Sequence, residues 1–123
     1  MSNRVLLVDC DRAACLVTTQ LLTAAGYLLV VADSFEDAIR VVALQCPDLL
    51  ITAVRLGQFN GFHLALRCRF QHPTMPIVVM ADGTEAGLAG EAEQYGVQFL
   101  DKATEPRRFL SLIGELLPGP APV

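Results

Sequence analysis

The chain lacks any apolar run approaching the ~18 residues that a membrane span requires, and its N-terminus, MSNRVLLVD, carries too short an apolar stretch for a signal peptide. It has no tryptophan and only 7% aromatic residues, yet 53% of its 123 residues are hydrophobic, which speaks for a well-filled core and not for disorder. It lacks a positive excess: the formal net charge of −4 argues against non-specific nucleic-acid binding by this domain. None of its 4 cysteines, Cys10, Cys15, Cys46 and Cys68, falls in a C-x-x-C pair, and the 2 histidines show no zinc spacing with them. Without a secretory signal, reduced cysteines in a cytoplasmic protein are expected.

What is present is alternation. RVLLVD (4–9) reads as a strand buried on both faces. Asp11 has the chemistry of an N-cap for the helical spacing that follows, and Gly26 that of its stop. YLLVVAD (27–33) is a second strand. Ser34 and Asp37 form a variant capping box before a helix that ends at Pro47. DLLITAV (48–54) is a third strand, RLGQFNG its outgoing loop, and GFHLALRCRFQH a helix ended by Pro73. PIVVMA (76–81) is a fourth strand. A helix is expected across EAGLAGEAEQY (85–95), weakened by Gly87 and Gly90 at roughly 1 kcal/mol each. VQFLD (97–101) is a fifth strand, and Pro106 opens a last helix, RRFLSLIGELL. Residues 1–117 read as one domain, and PGPAPV (118–123) as a flexible tail or the start of a linker.

Strand and helix in alternation imply an α/β fold with a parallel sheet covered on both faces. With right-handed crossovers the expectation is a flavodoxin-like (βα)5 domain of strand order 2-1-3-4-5. Its site then lies at the carboxyl ends of the strands, where the order reverses. Asp9, Cys10, Asp11, Ala53, Val54, Arg55, Ala81, Asp82 and Lys102 stand at those ends.

VLLVDCD, the helix ending in AAGY, PDLLITAVRLGQFNG, MPIVVMAD and QFLDKA together resemble the receiver domain of bacterial response regulators, over residues 4–117. That resemblance implies phosphoryl transfer from a histidine kinase to an aspartate ending the third strand, with Mg²⁺ held by acidic residues after the first. A hydroxyl ending the fourth strand and a lysine after the fifth complete the family's set. Asp9 and Lys102 match it, as does Gly61, and Phe99 stands at the position of the switch aromatic. Cys10 stands at the second acidic position, where a thiol is a poor ligand for a hard cation. Ala53 stands at the acceptor and Ala81 at the hydroxyl. Leu56-Gly57 and Ala103 also depart from the pattern, and the segment from Gly96 to Lys102 is one residue short of the usual spacing.

The resulting expectation is a degenerate receiver, a pseudo-receiver without enzymatic activity, that signals by protein–protein contact. Mg²⁺ binding is expected to be weak or lost, with Asp9 and Asp11 as weak metal candidates. Asp9 and Lys102 are expected to form a salt bridge, and Arg55 could occupy the position left by the metal. Thr52 should point to the opposite face from Ala53. A redox role for Cys10 is a lesser reading: a helix N-terminus and Lys102 favour its thiolate, Asp9 and Asp11 oppose it. Cys15, Cys46 and Cys68 are expected in helix packing, and His63 and His72 on the surface. The stripe Phe109, Leu110, Leu112, Ile113, Leu116 and Leu117 reads first as core. Its alternative is a partner or dimer surface carrying Phe109, Leu112 and Leu116 and rimmed by Arg107 and Arg108. Partners are then a histidine kinase or a downstream signalling protein, or a second copy, with no membrane and no direct nucleic-acid contact. Two rivals remain: a receiver phosphorylated on a displaced carboxylate, Asp11 or Asp82, and a flavodoxin-like ligand or redox protein. The last is disfavoured because no Gly/Ser/Thr-rich loop follows strands one or three.

Overall fold

A computed structural model describes residues 3–82 and 87–117. In chain order the elements are β1 (Arg4–Val8), α1 (Arg12–Ala24), β2 (Leu28–Ala32), α2 (Phe35–Leu44) and β3 (Leu49–Ala53). There follow β4 (Arg55–Leu56), β5 (Phe59–Asn60), α3 (Gly61–Gln71), β6 (Ile77–Ala81), α4 (Leu88–Tyr95), β7 (Gln98–Asp101) and α5 (Pro106–Leu116). Five parallel strands form one sheet in the order β2-β1-β3-β6-β7. This is the flavodoxin-like order expected from the sequence, with β6 and β7 as its fourth and fifth strands.

The period of two along each strand sorts the core into layers. Leu6, Val8, Leu50, Ile77 and Val79 face one way, against Ala38 and Val42 of α2, Phe62 and Ala65 of α3, and Ala92 of α4. Val5, Leu7, Leu49, Ile51, Val78 and Met80 face the other way, against Leu22 of α1 and Phe109 and Ile113 of α5. β1, β3 and β6 are therefore apolar on both faces, and Val5, Val8, Leu50, Ile51 and Val78 have no exposed surface. Phe109 lies in the core at 3% exposure, so it cannot meet a partner in this conformation, which corrects its place on the alternative surface. Leu112 and Leu116 are half-buried against the same core, whereas Arg107 and Arg108 are exposed.

The local signals act as their chemistry requires. Asp11 Oδ1 accepts from the N–H groups of Ala13 and Ala14 at 3.1 and 3.2 Å. Ser34 Oγ accepts from Asp37 N at 3.1 Å. Gly26, at φ 95°, turns the chain out of α1. Two expectations change. The segment after β3 is a tight antiparallel hairpin and not a loop, with Arg55 opposite Asn60 and Leu56 opposite Phe59. Gly57 at φ 63° permits its turn. Gly87 is not inside a helix: it precedes α4 at φ 88°, in the left-handed region. Residues 85 and 86 of that expected helix, and the 118–123 tail, lie outside the described residues.

Candidate functional site

The carboxyl ends of β1, β3, β6 and β7 converge on a cavity of about 200 Å³. Parallel pairing brings them there: Val8 is level with Thr52, Ala53 with Met80, and Ala81 with Asp101. Asp9, Cys10, Asp11, Ala53, Arg55, Ala81, Asp82 and Lys102 all line it. Val54, also placed there by the sequence, lines it too, and Met80 joins them, which no polar signal in the sequence marks. A second cavity of about 150 Å³ lies below, between α1 and the sheet. Leu7, Ala14, Val17, Thr18 and Ile51 wall it, and it shares Asp9, Ala53, Met80 and Lys102 with the first.

Asp9 organises the site. Its N–H donates to Ala32 O at 3.1 Å, which fixes the chain where β1 ends. Oδ1 accepts from Asp11 N at 2.9 Å. Oδ2 lies 3.2 Å from Lys102 Nζ, and the side chains are 8% and 21% exposed. Lys102 is placed by its own backbone, whose N–H donates to Ala81 O at 2.9 Å. Asp101 then holds the turn that follows, accepting from Ala103 N at 2.8 Å.

Ala53 is buried at 4% exposure and presents only its methyl group. Its carbonyl is fully used: Thr52 Oγ1 donates to it at 2.9 Å, and Gly61 presses against it so closely that a Cβ there would stand 2.0 Å from the oxygen. Thr52 is wholly buried and does not line either cavity. The hairpin is tied across the site. Cys10 Sγ donates to Arg55 O at 3.5 Å, and Phe35 stacks on Phe59 with centroids 4.6 Å apart.

Other sequence candidates lie elsewhere. Phe99 is half-buried in β7 and packs on the layer of α2, α3 and α4. Cys68 is buried within α3, and burial pushes its thiol up to about 11. Cys15 is half-buried against the α1 layer. Cys46 departs from the expected helix packing: it is exposed, beyond the end of α2, with Sγ donating to Pro47 O at 3.4 Å. The helix ends at Leu44 because the pre-proline position disfavours helical geometry. His63 is exposed and His72 half-buried.

Chemically, the arrangement offers a paired cation, Lys102, and carboxylates at Asp9, Asp11 and Asp82, but no nucleophile at the end of β3.

A model of the family described as "Response regulator receiver domain" matches residues 5–114. Response regulator protein FleR of Pseudomonas aeruginosa is 31% identical across 99% of this chain and 26% of its own length. Transcriptional regulatory protein GlrR of Escherichia coli (strain K12) is 29% identical across 96% of this chain and 27% of its own. The chain thus spans about a quarter of the length of these curated relatives. A crystal structure of a response regulator receiver domain protein (CheY-like) from Methanospirillum hungatei JF-1 has the same fold. It superposes with a TM-score of 0.86 at 22% identity, covering 94% of this chain and 93% of the other.

Proposed function

The chain belongs to the response regulator receiver domain family of two-component signalling, and from that premise we propose that it is a receiver that is not phosphorylated and signals by protein–protein contact. The observation that carries this reading is Ala53. A phosphoacceptor must supply a nucleophilic oxygen, and a methyl group has none, whatever the surrounding electrostatics. Cys10 and Ala81 support it, since a thiol stands in place of a carboxylate directly after Asp9 and the end of β6 offers no hydroxyl.

The residues present fit Mg²⁺ poorly. Asp9 has one oxygen on Asp11 N and the other on Lys102, Asp11 caps α1, and the Cys10 thiol is engaged with Arg55 O. Hard divalent cations need oxygen ligands, and β3 contributes no side-chain oxygen to the cavity.

Family members take part in signalling with histidine kinases and sit in regulators with output domains. The relatives named above are a response regulator and a transcriptional regulator. Carried to this chain, these make a kinase or an output protein the natural partner class, with a second copy as the alternative and the cytoplasm as the location. The test is intact-mass analysis after incubation with Mg²⁺ and acetyl phosphate. The expected result is an unmodified mass. Gain of one phosphoryl group would overturn the reading, and mapping it to Asp11 or Asp82 would establish a displaced acceptor.

A further inference from the structure

Two thiols stand at the start of α1, apart from the Asp9–Lys102 pair. With Asp11 as the N-cap of α1, Cys10 occupies the position before the cap and Cys15 the fourth position of the helix. Side chains at these two positions pack against each other where a chain enters a helix, a place usually held by an apolar pair. Here cysteine fills both. The tertiary structure brings the two together in the same way. Cys10 and Cys15 line one cavity of about 410 Å³, with Leu16 of α1 and Val31 of β2 beside them.

Both thiols are free, and each is turned to a different neighbour. Cys10 Sγ donates to Arg55 O at 3.5 Å, whereas Cys15 Sγ lies 4.0 Å from Thr19 Oγ1. Rotation about each Cα–Cβ bond exchanges these contacts for one between the two sulfurs. Access gives the pair an order. Cys10 is exposed and Cys15 half-buried, so Cys10 meets an oxidant from solvent first and Cys15 stands behind it. The remaining cysteines have no such arrangement. Cys68 is buried in α3, Cys46 lies beyond the end of α2, and neither lines this cavity.

We propose that Cys10 and Cys15 form a redox-active dithiol, which hydrogen peroxide oxidises to an intramolecular disulfide that withdraws Cys10 from the Arg55 hairpin. The Cys10 thiolate attacks one peroxide oxygen, the O–O bond breaks, and the departing oxygen takes up a proton and leaves as water. Cys10 is then a sulfenic acid. The Cys15 thiolate attacks the Cys10 sulfur, the S–S bond forms, the S–O bond breaks, and a second water leaves. The peroxide gains two electrons, the two thiols lose two, and both thiol protons end in the waters. This goes beyond the reading of an unphosphorylated receiver and does not rest on it.

The test treats the reduced protein with stoichiometric hydrogen peroxide, alkylates the remaining thiols and digests with trypsin in the absence of reductant. Trypsin cuts after Arg12, between the two cysteines, so their disulfide joins peptide 5–12 to peptide 13–40. The expected result is that joined pair, from a monomer two hydrogens lighter, and its reversal by dithiothreitol. Amide exchange across Arg55–Asn60 should be faster in the oxidised protein than in the reduced one, because Arg55 O has lost the Cys10 thiol. Cys15→Ser removes the second thiol, so sulfenic acid should accumulate on Cys10 and its labelling by dimedone should rise severalfold over the parent. Cys15→Ala repeats the test with an apolar side chain at this half-buried position, and an unchanged amide spectrum of the reduced variant reports an intact fold. An unmodified protein, a disulfide to Cys46 or Cys68, a disulfide-linked dimer, equal dimedone labelling of parent and variants, or unchanged exchange on the hairpin would each overturn the proposal.

Discussion

Lys102 Nζ stands 3.2 Å from Asp9 Oδ2 in the cavity that Ala53 also lines. Asp9 is the more deeply buried partner, and Asp11 N satisfies its other oxygen. The pair therefore closes the site on itself, without calling on a group outside the chain. Removing the lysine leaves a buried carboxylate with one partner fewer. Lys102→Met is expected to lower stability by about 1–3 kcal/mol, read as a shift of the urea midpoint at constant slope. An unchanged midpoint would show that the contact contributes nothing net.

Position 53 can be tested by restoring what it lacks. Ala53→Asp adds a carboxylate beside Asp9 in the same cavities. Like charges at close range disfavour each other's ionised form. In metal-free buffer the variant is expected to be less stable by roughly 1–2 kcal/mol, with Mg²⁺ reversing part of the loss. Acetyl phosphate should modify Ala53→Asp combined with Cys10→Asp, and leave the Cys10→Asp single variant unmodified. Equal incorporation by the two would place the acceptor elsewhere.

Gly61 is required for proximity and not for an unusual backbone angle. A methyl group there would meet the Ala53 carbonyl at 2.0 Å, and Gly61 N also donates to Val54 O at 2.7 Å. Neither backbone atom can yield without moving β3 or α3. Gly61→Ala is expected to cost about 3 kcal/mol or more, measured by urea unfolding. Gly90→Ala, whose added methyl meets open space within α4, should raise stability by up to ~1 kcal/mol.

The Phe35–Phe59 stack holds the hairpin against the start of α2. Phe59→Ala is expected to cost about 1 kcal/mol. Amide exchange should quicken across Arg55–Asn60 while the core strands remain protected. Uniform acceleration throughout would mean that the hairpin opens only with the whole fold.

Cys68 gives a dependence on pH. Burial, then the charge of Cys46, push its thiol up to about 11 from an ordinary 9.0, with Arg67 opposing. Between those values the unfolded chain releases the proton and the folded chain keeps it. Stability linked to Cys68 is therefore full below pH 9 and is lost as pH rises towards 11. Cys68→Ala should show a shallower decline across that window than the parent, measured by urea unfolding at successive pH values. Identical slopes would contradict the assignment.

Much of this architecture is written in local chemistry. Apolar runs of strand length, Asp11 and Ser34 at helix starts, Gly26 and Pro47 at helix ends, and Pro106 in a first turn define nearly every element without long-range information. The right-handed crossover rule then leaves few sheet orders, so the carboxyl-end residues, Ala53 among them, can be placed together from the sequence. What it could not yield depends on packing between distant segments. The hairpin at Arg55–Asn60 is too short to carry a periodic pattern, and Gly57, Cys10 and Phe35 hold it. One apolar stripe on α5 serves as core at Phe109 and only partly at Leu112 and Leu116, a division set by how the helix lies on the sheet. Periodicity names the apolar residues of a helix, but only the neighbours decide which are covered. For that reason the sequence by itself determined the fold, the Asp9–Lys102 pair and the methyl group at the end of β3, and the tertiary structure decided how the Arg55–Asn60 hairpin is tied across the site and which residues of α5 are covered.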